Sequence, residues 1–317
     1  MEIFWRRYEK EHPPWTDDPV LDKHKFTNVY RVLDRSSQHL VSNVIYNGKK
    51  YNPEDMFLRI LLYKHFNLPD TWDWLMDDIG DITLDTPQEE IVNSLKQYSK
   101  EGYPVYSNAF MLTAPFMKKK YFLDEFGLES GMPKFKIYTN IFYKEFFERG
   151  KVIDILESKS FKGLFDVFMS VPSFADFLSY QFTQDVNYSE LVNFDMNEFC
   201  APGNGTIRGI ERTFDLKGRK IDYGRIVIWV YENLDKLIEE YSNKFDIDLS
   251  HRPLPNLPPQ TPDLSNCFCE TDKLMRGMGV KTEGKEIKGK RIKQTYNKGY
   301  SPEIEFKFPP KWGVKLK

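Results

Sequence analysis

Cysteine is scarce: Cys200, Cys267 and Cys269 are the only three in 317 residues. An odd set with one Cys-Phe-Cys pair, no second pair and no neighbouring histidine fits neither a disulfide framework nor zinc spacing. Free thiols and no structural metal are expected. No apolar run approaches the roughly 20 residues that cross a bilayer. The opening Met1-Glu2-Ile3-Phe4-Trp5-Arg6-Arg7 lacks the apolar region of a secretory signal. The expectation is a soluble intracellular protein without a membrane partner. Internal repeats and extended low-complexity tracts are absent. So is a phosphate-cradling G-x-x-x-x-G-K-[ST] loop, and Tyr46-Asn47-Gly48-Lys49-Lys50, with its lone glycine, reads as a turn. Strand patterning is thin: Lys134 to Tyr138 alternates briefly, and Ile304 to Phe308 suits a short edge strand before Pro309-Pro310.

What is present is apolar surface in helical register. Hydrophobic residues make up 40% and aromatics 15% of the chain, enough for one large core or two smaller ones. Phe26 to Val44, Pro53 to Phe66, Thr86 to Lys100, Met117 to Phe126, Ile137 to Glu148, Val152 to Phe168 and Tyr223 to Phe245 read as helices, the last being the longest late one. A mainly α fold follows. Within it, Arg59 among apolar neighbours reads as a buried salt-bridge partner, and Trp72 and Trp74 read as core or helix-packing residues.

Five prolines between His251 and Pro262 exclude a regular helix there. The expected organisation is a helical body over 1–250, a proline-rich connector over 251–262 and a basic segment over 263–317 packing back on the body. The formal net charge is only −2, yet Lys273 to Lys317 holds 13 Lys plus Arg against 4 Glu. That asymmetry reads either as a basic arm gripping phosphates or as a solvated tail. The glycine- and lysine-rich stretch Arg276 to Tyr300 reads as flexible, or as ordered only on binding.

The segment from Val171-Pro172-Ser173-Phe174 through Asp176-Phe177-Leu178-Ser179-Tyr180-Gln181 reads as a helix, a tight hairpin near 171–176 and a second helix. Asp185, Asn187 and Tyr188 follow. A helix-hairpin-helix unit offers backbone N–H groups and a positive helix end to a nucleic-acid phosphate. Pro202-Gly203-Asn204-Gly205 opens a further helix carrying Arg208, where a guanidinium and a helix N-terminus can hold one anion. The bland alternatives are that Asp185 caps a helix, Gln181 faces solvent and Arg208 follows an ordinary glycine turn. Arg31 and Arg35 share a face at i,i+4 beside Asn28, Tyr30 and Asp34; Asp34 and Arg35 read singly as an ion pair. Glu270 and Lys273 lie on a polar segment that either returns to a cleft or locks the tail.

Taken together, Trp15 to Pro19, Phe26 to Arg35, Phe177 to Tyr188, Pro202 to Gly209 and Cys269 to Lys273 resemble one phage-associated family, the alpha-glutamyl/putrescinyl thymine pyrophosphorylases. That family includes amino acid:DNA transferases and the helical domain of 5-hydroxymethyluracil DNA kinases. The resemblance implies a fold like helix-hairpin-helix DNA glycosylases and work on hypermodified thymine in double-stranded phage DNA. The host cytoplasm would be its place, and other hypermodification enzymes its company. The expected activity is amine transfer: an amino acid or polyamine displaces pyrophosphate from a flipped, pyrophosphorylated base. Asp185 is then the base or amine orienter, Gln181 a partner of the uracil edge, and Arg208 the neutraliser of the leaving group. Asn28, Arg31, Arg35, Ser173, Phe174, Tyr188, Gly203, Gly205, Glu270 and Lys273 are the expected substrate and DNA contacts. No resident cofactor is implied, although pyrophosphate can recruit magnesium. A DNA N-glycosylase, or a noncatalytic DNA-binding partner of a 5-hydroxymethyluracil DNA kinase, is the alternative.

Overall fold

Capping chemistry sets where many of the helices begin. The computed structural model describes residues 2–107, 125–127, 131–216, 218, 220–246, 253–282, 285–286, 292, 295 and 305–316. In chain order it carries α1 (Glu2–Tyr8), α2 (Pro19–Lys23), α3 (Arg35–His39), α4 (Pro53–Phe66), α5 (Pro69–Asp78), α6 (Gln88–Lys100), α7 (Lys134–Phe142) and α8 (Lys151–Leu156). Then come α9 (Phe161–Met169), α10 (Asp176–Val186), α11 (Asn204–Thr213), α12 (Tyr223–Glu232), α13 (Leu234–Phe245) and α14 (Thr261–Gly277). A two-stranded antiparallel ribbon, β1 (Lys281–Thr282) with β2 (Lys285–Glu286), is the small β component. The fold is mainly α.

α4 illustrates the local rules. Asn52 accepts the Asp55 N–H at 2.7 Å, Pro53 occupies the first turn, and Asn67 in the left-handed region closes the helix. The sequence pattern places this helix at the same bounds. Elsewhere the backbone breaks where periodicity runs on. The expected helix over 26–44 is interrupted at Asp34, whose backbone is extended; Arg31–Leu33 forms a 3-10 turn, and α3 continues as a π-helix over Leu40–Ile45. The stretch 152–168 splits into α8 and α9 because Ser160 turns extended to cap α9 through the Gly163 N–H. The stretch 223–245 splits into α12 and α13 at Asn233, whose amide donates to the Trp229 carbonyl. Consequently α14 is the longest late helix. Lys134 to Tyr138 is helical rather than extended, and 305–308 has no strand pairing. Most of 117–126 and of 276–300 lies outside the described residues, as does Ile304.

The chain divides into two compact units: a central unit, Arg35–Asp195, and a split unit made of Met1–Asp34 with Met196–Lys317. The central unit is built around phenylalanine. Phe57, Phe142, Phe146, Phe168, Phe174 and Phe182 form a continuous ring cluster at centroid spacings of 5.1 to 6.4 Å. Edge and tilted contacts of this kind add directional attraction to the burial of area. Arg59 is buried in the same unit as expected. Its guanidinium lies over the Tyr51 and Trp72 rings, donates to the Ile82 carbonyl and sits 3.8 Å from Asp81. Trp72 is buried, and Trp74 bonds Ser94.

The split unit is held by close backbone approach and polar straps. Gly205 and Gly209, one turn apart on α11, face α14 so tightly that a Cβ on Gly209 would sit 2.0 Å from the Phe268 carbonyl oxygen. A Cβ on Gly205 would meet the Cys269 sulfur at 2.4 Å. Thr206 Oγ1 crosses the same seam to the Ser265 carbonyl at 2.8 Å. The proline-rich stretch folds into a turn at Leu254–Leu257, gripped by Tyr30: its hydroxyl donates to the Leu257 carbonyl at 2.6 Å and accepts the Leu254 N–H. Asp263 completes a capping box with Gln260 and also accepts the Arg31 N–H.

Candidate functional site

α10, in the central unit, carries a buried polar face. Gln181, Gln184 and Asp185 follow at three- and four-residue spacings and share that face. All three are buried. Flanking that face, Phe182 is locked into the phenylalanine cluster. A polar stripe in such a place is costly unless its groups are paired or serve a ligand.

Asp185 is paired. Its Oδ2 lies 2.9 Å from Lys64 Nζ, and the two side chains are 7% and 4% exposed. Asp185 therefore does more than cap a helix. Lys64 comes from the last turn of α4, where a cation also complements the helix dipole. Next to it, Tyr63 donates its hydroxyl to the Ser36 carbonyl at 2.7 Å. Its acidity is suppressed by burial first and then by the nearby Asp185 charge. The Tyr63 ring stacks on His39, whose Nε2 is 3.0 Å from Asp73 Oδ1. Burial and the Arg35 charge push His39 down to about 4, so it is neutral near pH 7. Burial, together with Asp70 and Asp77, pushes Asp73 up to about 6.

Gln184 is unpaired. It is 1% exposed, and neither its amide oxygen nor its amide nitrogen has a hydrogen-bond partner. The expected base-edge residue was Gln181; the unsatisfied amide of the stripe belongs to its neighbour one turn along. A buried primary amide with donor and acceptor both open matches an imide edge, which presents the complementary pair.

The hairpin joins α9 to α10. Ser173 holds it in the left-handed region at φ +73, and the Phe174 N–H closes the turn on the Val171 carbonyl at 3.1 Å. Phe174, expected at the DNA, turns inward and anchors the hairpin in the phenylalanine cluster. The N-terminus of α10 has no side-chain cap and begins with Asp176. Tyr188 is buried, and its carbonyl accepts the Tyr46 hydroxyl.

The remaining expected contacts are distributed differently from their sequence grouping. Arg31 and Arg35 do not share a helix face, because the backbone breaks between them. Asp34 does not pair with Arg35: it accepts the Asn28 N–H, whereas Arg35 pairs with Asp70 at 2.9 Å on the surface. Asn28 is spent on a local strap to the Leu33 carbonyl. Gly203 caps α11 and Gly205 lies inside it, so the expected anion-binding glycine turn is a helix start followed by a packing seam. Glu270 accepts the Thr27 N–H and pairs with Lys273, whose ammonium lies over the Phe26 ring. Both lock residues 26–28 onto α14. Arg208 belongs to the split unit and pairs with Asp272, so neither unit by itself assembles Asp185, Gln181 and Arg208. The three cysteines are free thiols. Among the described residues no group of three or more His, Cys, Asp or Glu is arranged for a metal ion, and no helix is long and apolar enough to cross a membrane.

Lys64 escaped the sequence reading. Its signal is faint but physical: a lone cation inside Leu61-Leu62-Tyr63-Lys64-His65-Phe66, with no acidic residue at helical spacing to pair it.

The family described as the helical domain of 5-hmdU DNA kinase matches residues 1–284. The chain belongs to that family. A 5-hmdU DNA kinase of Bacillus phage SP10 is 24% identical over 257 residues. The match takes in 76% of this chain and 39% of that protein, so the chain spans well under half of its relative's length. No solved structure matches.

Proposed function

We propose that this helical domain binds DNA carrying a 5-hydroxymethyluracil-derived base in the host cytoplasm during infection. It receives that base, turned out of the stack, on the polar stripe of α10. The observation that carries the reading is the buried Lys64–Asp185 pair beside the unsatisfied Gln184 amide. Gln184 suits the imide edge of a uracil ring, and the stripe's burial supports exclusion of water from a flipped base. The hairpin before α10 is the natural contact to backbone phosphate, with Ser173 shaping the turn.

The reaction we assign is amine transfer. The amine nitrogen bonds to the 5-methylene carbon, the carbon–oxygen bond to pyrophosphate breaks, and pyrophosphate leaves with the electron pair. Asp185, oriented by Lys64, takes the proton released by the amine. The donor is an amino acid or a polyamine, and magnesium would accompany the pyrophosphate. A second reading is a substrate-holding domain beside a separate kinase. Two observations favour it: the family description and the absence of a G-x-x-x-x-G-K-[ST] loop from this sequence.

Nucleoside mass spectrometry separates these readings. The purified protein is incubated with duplex bearing pyrophosphorylated hydroxymethyluracil and a mixture of amino acids and polyamines. An amine-adduct mass that disappears in Asp185→Asn is expected for transfer. Intact nucleoside, with binding that prefers hydroxymethyluracil over thymine duplex and weakens in Gln184→Leu, leaves the holding domain. An abasic product replaces both with a glycosylase, and the absence of any base preference overturns the site.

A further inference from the structure

The split unit contains a charge imbalance of its own, and its reading does not depend on the base-holding role of the central unit. Asp272 on α14 is fully buried and receives three guanidinium groups. Arg208 places Nε and Nη2 each 3.2 Å from Oδ2, Arg276 places Nε 3.2 Å from the same oxygen, and Arg212 places Nη2 2.8 Å from Oδ1. The Gly205–Gly209 seam makes this convergence possible. With no side chain at Gly205 or Gly209 to hold the two helices apart, Arg208 and Arg212, one turn apart on α11, both reach one carboxylate, and Arg276 reaches it from one turn further along α14.

One carboxylate cannot neutralise three guanidinium groups. Among the described residues Asp272 is the only acid within ion-pair distance of Arg208 or Arg212. Glu211 is exposed to solvent with its carboxylate on the Tyr223 hydroxyl, and Glu270 is paired with Lys273. Between Arg208, Arg212 and Asp272 one formal positive charge remains. Arg212 is 10% exposed and its Nε has no partner, whereas Arg208 is 46% exposed with only one edge of its fork engaged. Surplus cations partly removed from water are a standing cost, and a multiply charged oxyanion offsets it. Guanidinium forks match tetrahedral oxyanions in shape as well as charge.

We propose that Arg208 and Arg212, held in place by Asp272, form a phosphate-group site in the split unit. The phosphate comes either from free pyrophosphate or phosphate, or from the DNA backbone, and the two sources give different signatures.

Thermal unfolding of the full chain is followed in sodium chloride, sodium phosphate and sodium pyrophosphate at matched ionic strength, beside the affinity of an unmodified 20-base-pair duplex as a function of salt. Saturating pyrophosphate is expected to raise the midpoint by about 2–4 °C. Arg208→Gln should abolish that rise while leaving the midpoint in chloride nearly unchanged, since half of this side chain is in water. Asp272→Asn should lower the midpoint in chloride and enlarge the pyrophosphate response, because it removes the internal competitor. If backbone phosphate is the ligand, Arg208→Gln reduces the slope of log affinity against log salt by about one. A pyrophosphate response lost with the slope unchanged identifies the free anion. Wild type and Arg208→Gln that agree in both measurements overturn the proposal and leave the cluster a structural one.

Discussion

Two buried carboxylates, one in each unit, are balanced in opposite ways. Asp185 in the central unit has one ammonium, and the pair is electrically closed. Asp272 in the split unit has three guanidinium groups, and the cluster is left positive. A closed pair in dry surroundings suits the neutral ring of a base, because it adds no net charge for that ring to offset. An open cationic cluster suits an anion. The difference extends to packing: the central unit is built on phenylalanine rings, the split unit on backbone contact at glycine and on polar straps from Asp34, Asp263 and Tyr30.

The largest expected effect comes from opening the closed pair. Lys64→Met leaves Asp185 buried and uncompensated, and should destabilise the central unit by about 3–5 kcal/mol in denaturant unfolding. The double variant Lys64→Met/Asp185→Leu should recover most of that loss, since neither buried charge remains. A double variant that binds hydroxymethyluracil duplex as well as wild type would show the pair to be packing only.

Much of this was legible in the sequence, for reasons that separate cleanly. α4 was bounded correctly because Asn52-Pro53 and the apolar run after it agree with each other. Arg59 was recognisable as buried because Met56, Phe57, Leu58, Ile60, Leu61 and Leu62 around it are apolar. The break at Asp34 was not legible, because it depends on a carboxylate reaching back to the Asn28 backbone, a contact that helical periodicity does not encode. Lys64 was hidden for the converse reason: a lysine in a last helical turn has an ordinary explanation in the helix dipole. Its partner lies 121 positions away. Likewise Pro202-Gly203-Asn204-Gly205 reads as a glycine turn opening a helix, but that Gly205 and Gly209 let α14 approach depends on a helix about 60 residues away and leaves no local mark.

Acid should sharpen the contrast between the units. In the split unit, burial pushes Asp34 and Asp263 each up to about 6 from an ordinary 3.8. The folded state then binds more protons than the unfolded one between about pH 4 and 6. These carboxylates therefore favour folding at low pH and lose that contribution as pH rises through 6. In the central unit burial pushes His39 down to about 4 and His65 to about 3 from 6.5. The folded state there binds fewer protons, so stability is present above pH 6.5 and is lost as pH falls toward 4. Asp73 opposes this weakly, since its side chain is more than half exposed. Each carboxylate contributes at most about 3 kcal/mol. Amide hydrogen exchange resolved by residue, taken from pH 7 to 4.5, should show protection falling in α4 relative to α14. Asp34→Asn should remove about half of the split unit's pH response while keeping an acceptor for the Asn28 N–H. Parallel profiles in the two units would mean that the buried groups are better hydrated than their packing indicates.

The smallest expected effect is the control that gives the others meaning. Arg35 and Asp70 form an exposed pair of the central unit, with side chains 65% and 60% accessible. Solvent screens such a pair, so Arg35→Ala should change unfolding free energy by less than about 1 kcal/mol. Its charge nevertheless acts on His39 and Tyr63, and Tyr63 also lies in the field of Asp185. If Arg35 is only a surface charge, binding of hydroxymethyluracil duplex should follow its small stability change and weaken little. A loss of tenfold or more in affinity at unchanged stability would give the exposed guanidinium a direct hold on the nucleic acid. The binding face of the central unit would then extend from the closed pair outward to the surface.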